Sequence, residues 1–250
     1  METLQMKHNY RKPAIHSEVI ALIPAYNEEG TIGTVVKKII KQKIFPLVVD
    51  DGSTDKTVEI ALKVGAHVIR NKMNEGKGEA IKGGLKYIRN NFDDYKCVVL
   101  VDADMQYKPE EAKKLIEPIL EGKFKVVKGS REFKKIPFRH RIGNYVWRGL
   151  YNSFSEGIVI NDPCCGFIAL SKEVVEKIDP NKIGSGYTAD TSLLFQVTKN
   201  GYNSAKYIKQ VEVSVKYKFI SPVGRGVQMV AKVSWFILIS GIKRKLDIEK

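Results

Sequence analysis

VIALIPAYNEEGTIGTVVKKIIKQKIFPLVVDDGSTD, residues 19–55, repeats one pattern: an apolar run, a polar turn, then apolar positions at helical spacing. Val19 to Ile23 reads as a strand stopped by Pro24. Ile32, Val35, Val36, Ile39 and Ile40 then place one apolar face on a helix from about Thr31 to Lys43. Leu47 to Val49 is a second strand, and it opens onto Asp50-Asp51-Gly52-Ser53-Thr54-Asp55, whose Asp and Ser side chains suit the start of another helix. The same rhythm continues outward. His67 to Arg70 is a third strand, Gly78 to Asn90 a third helix, and Cys97 to Val101 a strand whose continuous apolar run marks burial on both faces. Lys108 to Glu121 is helical with Pro109 in its first turn, and Lys125 to Val127 opens onto Gly129-Ser130-Arg131. Strands alternating with crossover helices predict an α/β chain with a mostly parallel central sheet flanked by helices.

Beyond Pro137 the pattern changes. A basic aromatic stretch, FRHRIGNYVWRGLYNSFS, precedes a short strand Gly166 to Leu170, a helix Thr191 to Thr198 and a strand Gln210 to Tyr217. A loop, Ser221 to Gly226, leads to an apolar segment Val227 to Ile242 ending in Lys243-Arg244-Lys245. The chain therefore divides into a polar arm (1–17), a domain (18–220) with an earlier half (18–132) and a later half (133–220), and an amphipathic tail (221–250).

Composition narrows the class. Of 250 residues 43% are apolar, which supports a packed core and excludes disorder as the main state. Three cysteines, two of them adjacent at Cys164 and Cys165, make neither a disulfide framework nor a spaced zinc site. Cys164-Cys165 reads as a packed thiol pair, and His8, His16, His67 and His140 show no ligand spacing. No apolar run approaches the roughly 20 residues of a spanning helix, and METLQMKHNYRKPAIHSE lacks the apolar core of a signal peptide. The expectation is a cytoplasmic chain, neither exported nor anchored by a span. Lys and Arg (42) exceed Asp and Glu (28), giving +14, which favours a polyanionic partner.

In open parallel sheets ligands bind beyond the carboxyl ends of the strands, and the polar clusters fall there. Pro24-Ala25-Tyr26-Asn27-Glu28 follows the first strand, Asp50-Asp51 the second, and Asp102-Ala103-Asp104-Met105-Gln106 the buried one. On an extended segment Asp102 and Asp104 point the same way, and Gln106 continues that face. Two carboxylates and an amide oxygen suit a hard ion, Mg²⁺ or Mn²⁺, that keeps positions open for phosphate oxygens. Nucleic acid is not the expected polyanion, because it leaves the acidic strand-end clusters unexplained and they would repel a phosphate backbone unless they held metal.

IPAYNEEGTI, VVDDGSTDKT, NEGKGEAIKGGL, VDADMQ, KGSRE and DPCCGF, in this order over roughly residues 19 to 170, resemble the inverting glycosyltransferases of family 2. Among these the likeness is greatest to the dolichyl- or polyprenyl-phosphate sugar synthases. The resemblance implies the GT-A nucleotide-sugar-binding (Rossmann-like) fold. It also implies transfer of a sugar from a UDP- or GDP-linked donor to a lipid monophosphate. Pro24, Ala25, Tyr26 and Glu28 would then hold the nucleoside end, with Val49 and Asp51 closing around its base. Asp102, Ala103 and Asp104 would lie against ribose and diphosphate, Asp104, Gln106 and Asp102 would hold the metal, and Arg131 would meet phosphate. Catalysis would rest on Asp104, Arg131 and Asp102.

An alcohol acceptor needs a general base, whereas a phosphate monoester, with a second pKa of about 6, is already a nucleophile near neutral pH. A lipid phosphate needs positive charge instead, which Arg139 and Arg141 offer, and the resemblance implies the same role for Lys218 and Arg225, which sit near the basic positions of the family's late acceptor loop though at a different spacing. Arg139, Arg141 and Arg148, interleaved with large apolar side chains, also suit a membrane surface on its cytosolic face. The tail offers the same face to lipid, to a second copy of the chain or to a membrane-anchoring partner. The competing enzyme reading is a family 2 transferase that extends a lipid-linked or cell-surface glycan with a carboxylate base. Asp190 is the one visible candidate for that base, and it is equally an acceptor-site or helix-cap residue.

Overall fold

The computed structural model describes residues 2–4, 17–132, 138–155, 157–216 and 223–245. Eight strands form one sheet: β1 (Glu2–Leu4), β2 (Val19–Ala25), β3 (Phe45–Asp50), β4 (His67–Arg70), β5 (Cys97–Leu100), β6 (Val126–Arg131), β7 (Ile168–Ser171) and β8 (Ile208–Val213). Their spatial order is β1-β4-β3-β2-β5-β7-β6-β8. β4, β3, β2 and β5 are mutually parallel, as are β6 and β8. β7 runs antiparallel to both β5 and β6, and β1 antiparallel to β4.

Alternation explains the two cores. Ile20, Leu22, Leu47 and Val49 point to one side of the sheet and Val19, Ala21, Ile23 and Val48 to the other. Both sides are covered, which is why β2 is apolar throughout rather than at every second position. On one side lie α1 (Ile32–Ile40), α2 (Thr57–Lys63) and α4 (Ala112–Leu120), with Ile32, Val35, Val36 and Ile39 buried along α1. On the other lie α3 (Lys77–Asn91), α5 (Phe138–Phe154), the short α6 (Lys172–Lys177), α7 (Ala189–Lys199) and α8 (Val223–Lys245). Each fully buried Leu or Ile stabilises the fold by about 1.5–3 kcal/mol. Gly84 lets α3 settle onto the sheet, since a Cβ there would stand 2.3 Å from Leu22 Cδ1.

The antiparallel β7 matters for function. Leu100, the last residue of β5, pairs with Ile168, the first of β7, and Lys128 of β6 pairs with the same residue. The loop entering β7 and the ends leaving β2, β3, β5 and β6 therefore converge on one sheet edge. α5 and α8 pack together above that edge. Gly143 and Gly241 make the close approach possible, because added Cβ atoms would meet Val230 at 3.2 Å and Phe154 at 2.1 Å. The described part of the 221–250 tail is thus one helix that buries Val233 and Ile237 against the domain. Among the described residues no helix is long and apolar enough to cross a membrane. Glu2–Leu4, at the start of the N-terminal arm, is likewise joined to the sheet as β1, beside β4.

Candidate active site

A cavity of about 560 Å³ opens at this edge. Pro24, Ala25, Tyr26 and Glu28 from the end of β2, Asp51 after β3, and Asp102, Ala103, Asp104 and Gln106 after β5 all line it, as do Arg131, Trp147, Asp190 and Val233. Pairing of β2 with both β3 and β5 brings three segments remote in sequence to one wall. Val49 is the nucleoside-site candidate that the fold keeps apart from the cavity: fully buried in β3, it packs in the core beneath Gly84 of α3.

Asp51 is 3% exposed, and its carboxylate accepts hydrogen bonds from Asn71 Nδ2 at 2.8 Å, Glu75 N at 3.1 Å and Gly76 N at 2.6 Å. It fixes the turn that delivers Gly76 and Lys77 to the cavity. Gly52 beside it takes φ +77° and lies against Met73, leaving no room for a Cβ. Asp104 Oδ1 accepts from Gln106 N at 2.8 Å, a local turn with Met105 at φ +61°.

Lys77, at the first position of α3, reaches Asp102 Oδ1 at 2.7 Å and Asp190 Oδ2 at 3.1 Å. Burial works against its charge, but the two carboxylates outweigh burial and hold the ammonium above the ordinary lysine range. Asp190 Oδ1 is buried and has no hydrogen-bond partner.

The opposite wall is built on Arg131. Its guanidinium grips Asp162 through Nε at 2.6 Å and Nη2 at 2.8 Å, and Nη2 also donates to Asn144 of α5 at 3.1 Å. Burial alone would raise the Asp162 carboxyl, yet Arg131 outweighs it and holds the carboxyl below the usual range. The arginine expected to meet phosphate thus reaches the cavity already bound to a carboxylate. Burial pushes the Cys164 thiol up to about 12, so it is a neutral packed thiol, with Thr191 Oγ1 3.7 Å away.

Of the acceptor candidates, Arg141 is half-buried on α5. Arg139 and Arg225 fall within α5 and α8, but their side chains lie outside the described part, and Lys218 lies outside the described residues altogether. Exposed Ile142, Tyr145 and Val146 on α5 and Trp235 on α8 leave apolar surface uncovered.

Residues 20–179 match the family model for glycosyl transferase family 2, and the chain belongs to that family. It is a glycosyltransferase. It is 32% identical over 80% of its length to a dolichyl-phosphate hexose transferase of Haloferax volcanii, covering 83% of that protein. It is also 27% identical to a UDP-N-acetylglucosamine–dolichyl-phosphate N-acetylglucosaminyltransferase of Methanococcus voltae, over 92% of this chain and 98% of that one. Its fold is the GT-A fold: it superposes on Mycobacterium tuberculosis glucosyl-3-phosphoglycerate synthase, in a complex with Mn²⁺, UDP and glucosyl-3-phosphoglycerate, with a TM-score of 0.68. That match covers 95% of this chain and 86% of the other at 22% identity.

Lys77, Gly166 and Asp162 went unassigned in the sequence reading, although NEGKGEA and DPCCGF contain them. Gly166 closes over the Lys77 ion pairs: a Cβ there would stand 2.8 Å from Lys77 Nζ, 3.1 Å from Asp102 Oδ2 and 3.2 Å from Asp190 Oδ1. Gly166→Ala is expected to lower kcat/KM by about 100-fold through displaced carboxylates. The melting temperature should change little, because flexible side-chain ends can yield. Steady-state kinetics beside a thermal melt checks this, and wild-type kinetics would refute it.

Proposed function

We propose that this chain moves a hexose from a UDP- or GDP-linked donor, with inversion, to dolichyl or polyprenyl phosphate, with Mg²⁺ or Mn²⁺ bound alongside the donor. The observation that carries the reading is the ion pairing of Asp190. Asp102, Asp104 and Gln106 line the cavity after β5, and Asp190, the one carboxylate that could serve as a base, is tied to Lys77, which also holds Asp102. That arrangement suits an acceptor bringing its own ionised oxygen. The names of the Haloferax and Methanococcus relatives support a dolichyl phosphate acceptor, and the Mn²⁺ and UDP in the mycobacterial complex support the donor and the ion.

The donor set fits a divalent ion of this kind. Asp102, Asp104 and Gln106 line one cavity, but among the described residues no three His, Cys, Asp or Glu side chains form a closed cage. An ion here would take its remaining oxygens from the diphosphate. When bound, it would neutralise charge on the leaving group. The chain's own residues do the rest. Pro24, Ala25, Tyr26 and Glu28 form the nucleoside wall, with Asp51 holding the turn beside it. Arg131, braced by Asp162, sets the far wall. A phosphate oxygen of the lipid attacks the anomeric carbon, the bond from that carbon to the diphosphate oxygen breaks, and nucleoside diphosphate departs with the electron pair. No proton is transferred in the step, so no base is required.

Membrane contact at the cytosolic face follows from the same reading, supported by exposed Ile142, Tyr145, Val146 and Trp235 with Arg141, Arg148, Lys232 and Lys243 on the same two helices.

A second reading, glycan extension with Asp190 as base, is favoured by one observation: Asp190 Oδ1 is buried and has no donor. Two variants separate the readings when each is assayed with polyprenyl phosphate and with an alcohol-ended glycolipid. For lipid-phosphate transfer, Asp190→Asn keeps much of the activity, whereas Arg141→Glu weakens use of polyprenyl phosphate by about tenfold or more and spares nucleotide binding. An inactive Asp190→Asn beside a fully active Arg141→Glu would overturn the first reading in favour of the second.

A further inference from the structure

Lys77 takes no part in the transfer scheme, yet it is the cation set among the acidic groups of the cavity. Its place runs against local preference, because a lysine in the first turn of α3 opposes the helix dipole. The gain must lie elsewhere, and the geometry locates it. Nζ bridges Asp102, which leaves β5, and Asp190, in the first turn of α7. The remaining oxygens of the pair, Asp102 Oδ2 and Asp190 Oδ1, both border the space above Gly166, and Asp190 Oδ1 has no donor. Without the ammonium, two carboxylates would share one poorly solvated space, and such a pair draws in a cation or a proton. With it, one oxygen of each is engaged and half of their charge is cancelled.

We propose that Lys77 is a positioning residue that acts as an internal counter-cation and makes divalent-ion binding depend on the donor. By holding Asp102 and Asp190 together it keeps the acidic wall from capturing an ion by itself, so that the ion binds tightly only when a diphosphate supplies further oxygens. The inference rests on the reading that donor and ion bind together in this cavity.

The test is calorimetric titration of Mn²⁺ into the whole chain, alone and with saturating UDP or GDP, for wild type, Lys77→Met, Lys77→Gln and Lys77→Arg. Wild type should bind Mn²⁺ weakly alone and more tightly with the matching nucleotide. Lys77→Met and Lys77→Gln should bind Mn²⁺ alone about tenfold more tightly or better and lose much of the nucleotide effect. Lys77→Arg, which keeps the charge, should behave as wild type, and adding Asp190→Asn to Lys77→Gln should reverse the gain. Lys77→Gln keeps an uncharged hydrogen-bond donor at this position, so the test survives a Lys77→Met chain that does not fold. A structural role alone would lower the melting temperature without raising Mn²⁺ affinity. If neither nucleotide strengthens Mn²⁺ binding to wild type, the donor reading fails. If one does, and both neutral variants bind Mn²⁺ alone as weakly as wild type, the role of Lys77 is refuted and the donor reading stands.

Discussion

Asp104→Ala is expected to lower sugar transfer by about a thousandfold or more, because one of few oxygens facing the leaving diphosphate is lost and several kcal/mol of charge stabilisation goes with it. Fold stability should change far less. Its carboxylate accepts a hydrogen bond from Gln106 N within the same turn, and a hydrogen bond of this kind is worth about 0.5–1.5 kcal/mol. Loss of transfer with a preserved thermal melt, and loss of wild-type activity in EDTA restored by Mg²⁺ or Mn²⁺, are the results to look for. An active Asp104→Ala enzyme, or full wild-type activity in EDTA, would remove the metal from the scheme.

Arg131→Ala should fail differently, through the fold as well as the chemistry. Arg131 and Asp162 side chains are 10% and 7% exposed and joined by two hydrogen bonds, so truncation leaves a buried carboxylate without its cation. Breaking such a pair costs about 3–5 kcal/mol, which for a chain of this size lowers the melting temperature by roughly 10 °C. Asn144 Oδ1 on α5 loses its partner too, so the helix above the cavity is loosened. In whatever protein remains folded, turnover should fall more than nucleotide affinity, since charge on the leaving diphosphate grows in the transition state. An unchanged melt would show that the pair is not structural. An effect confined to KM would show that Arg131 does not favour the transition state.

These two residues also show how far the sequence could be read. Asp102, Asp104 and Gln106 were legible as cavity residues because a continuous apolar strand fixes where the chain leaves the sheet, but the extended two-residue period expected for them is not what the structure has: β5 ends at Leu100 and the segment turns, with Met105 at φ +61°. Arg131 was legible as a strand-end residue, but its commitment to Asp162 was not, since nothing local ties residues 31 positions apart. Lys77 escaped for the same reason: its carboxylates come from β5 and from the far side of β7. Most strands and helices were legible from periodicity. The direction of β7 was not, because a short apolar run has the same pattern read either way. Val49 shows a subtler limit. The family resemblance implied that it closes around the base, whereas strand alternation turns that side chain into the core under Gly84. The apolar period of α8 was equally legible, but its burial of Val233 and Ile237 against the domain depends on Gly143 and Gly241, where α5 and α8 touch.

Transfer to a lipid phosphate is tested most directly by the product. The purified chain, Mn²⁺ and polyprenyl phosphate are incubated with UDP- and GDP-sugars labelled in the sugar, and the organic phase is extracted. One donor should place label in a lipid that releases its sugar in mild acid with inverted anomeric configuration, in amounts that scale with polyprenyl phosphate. Label recovered only as free sugar, or only on an alcohol-ended glycolipid offered in parallel, would contradict it.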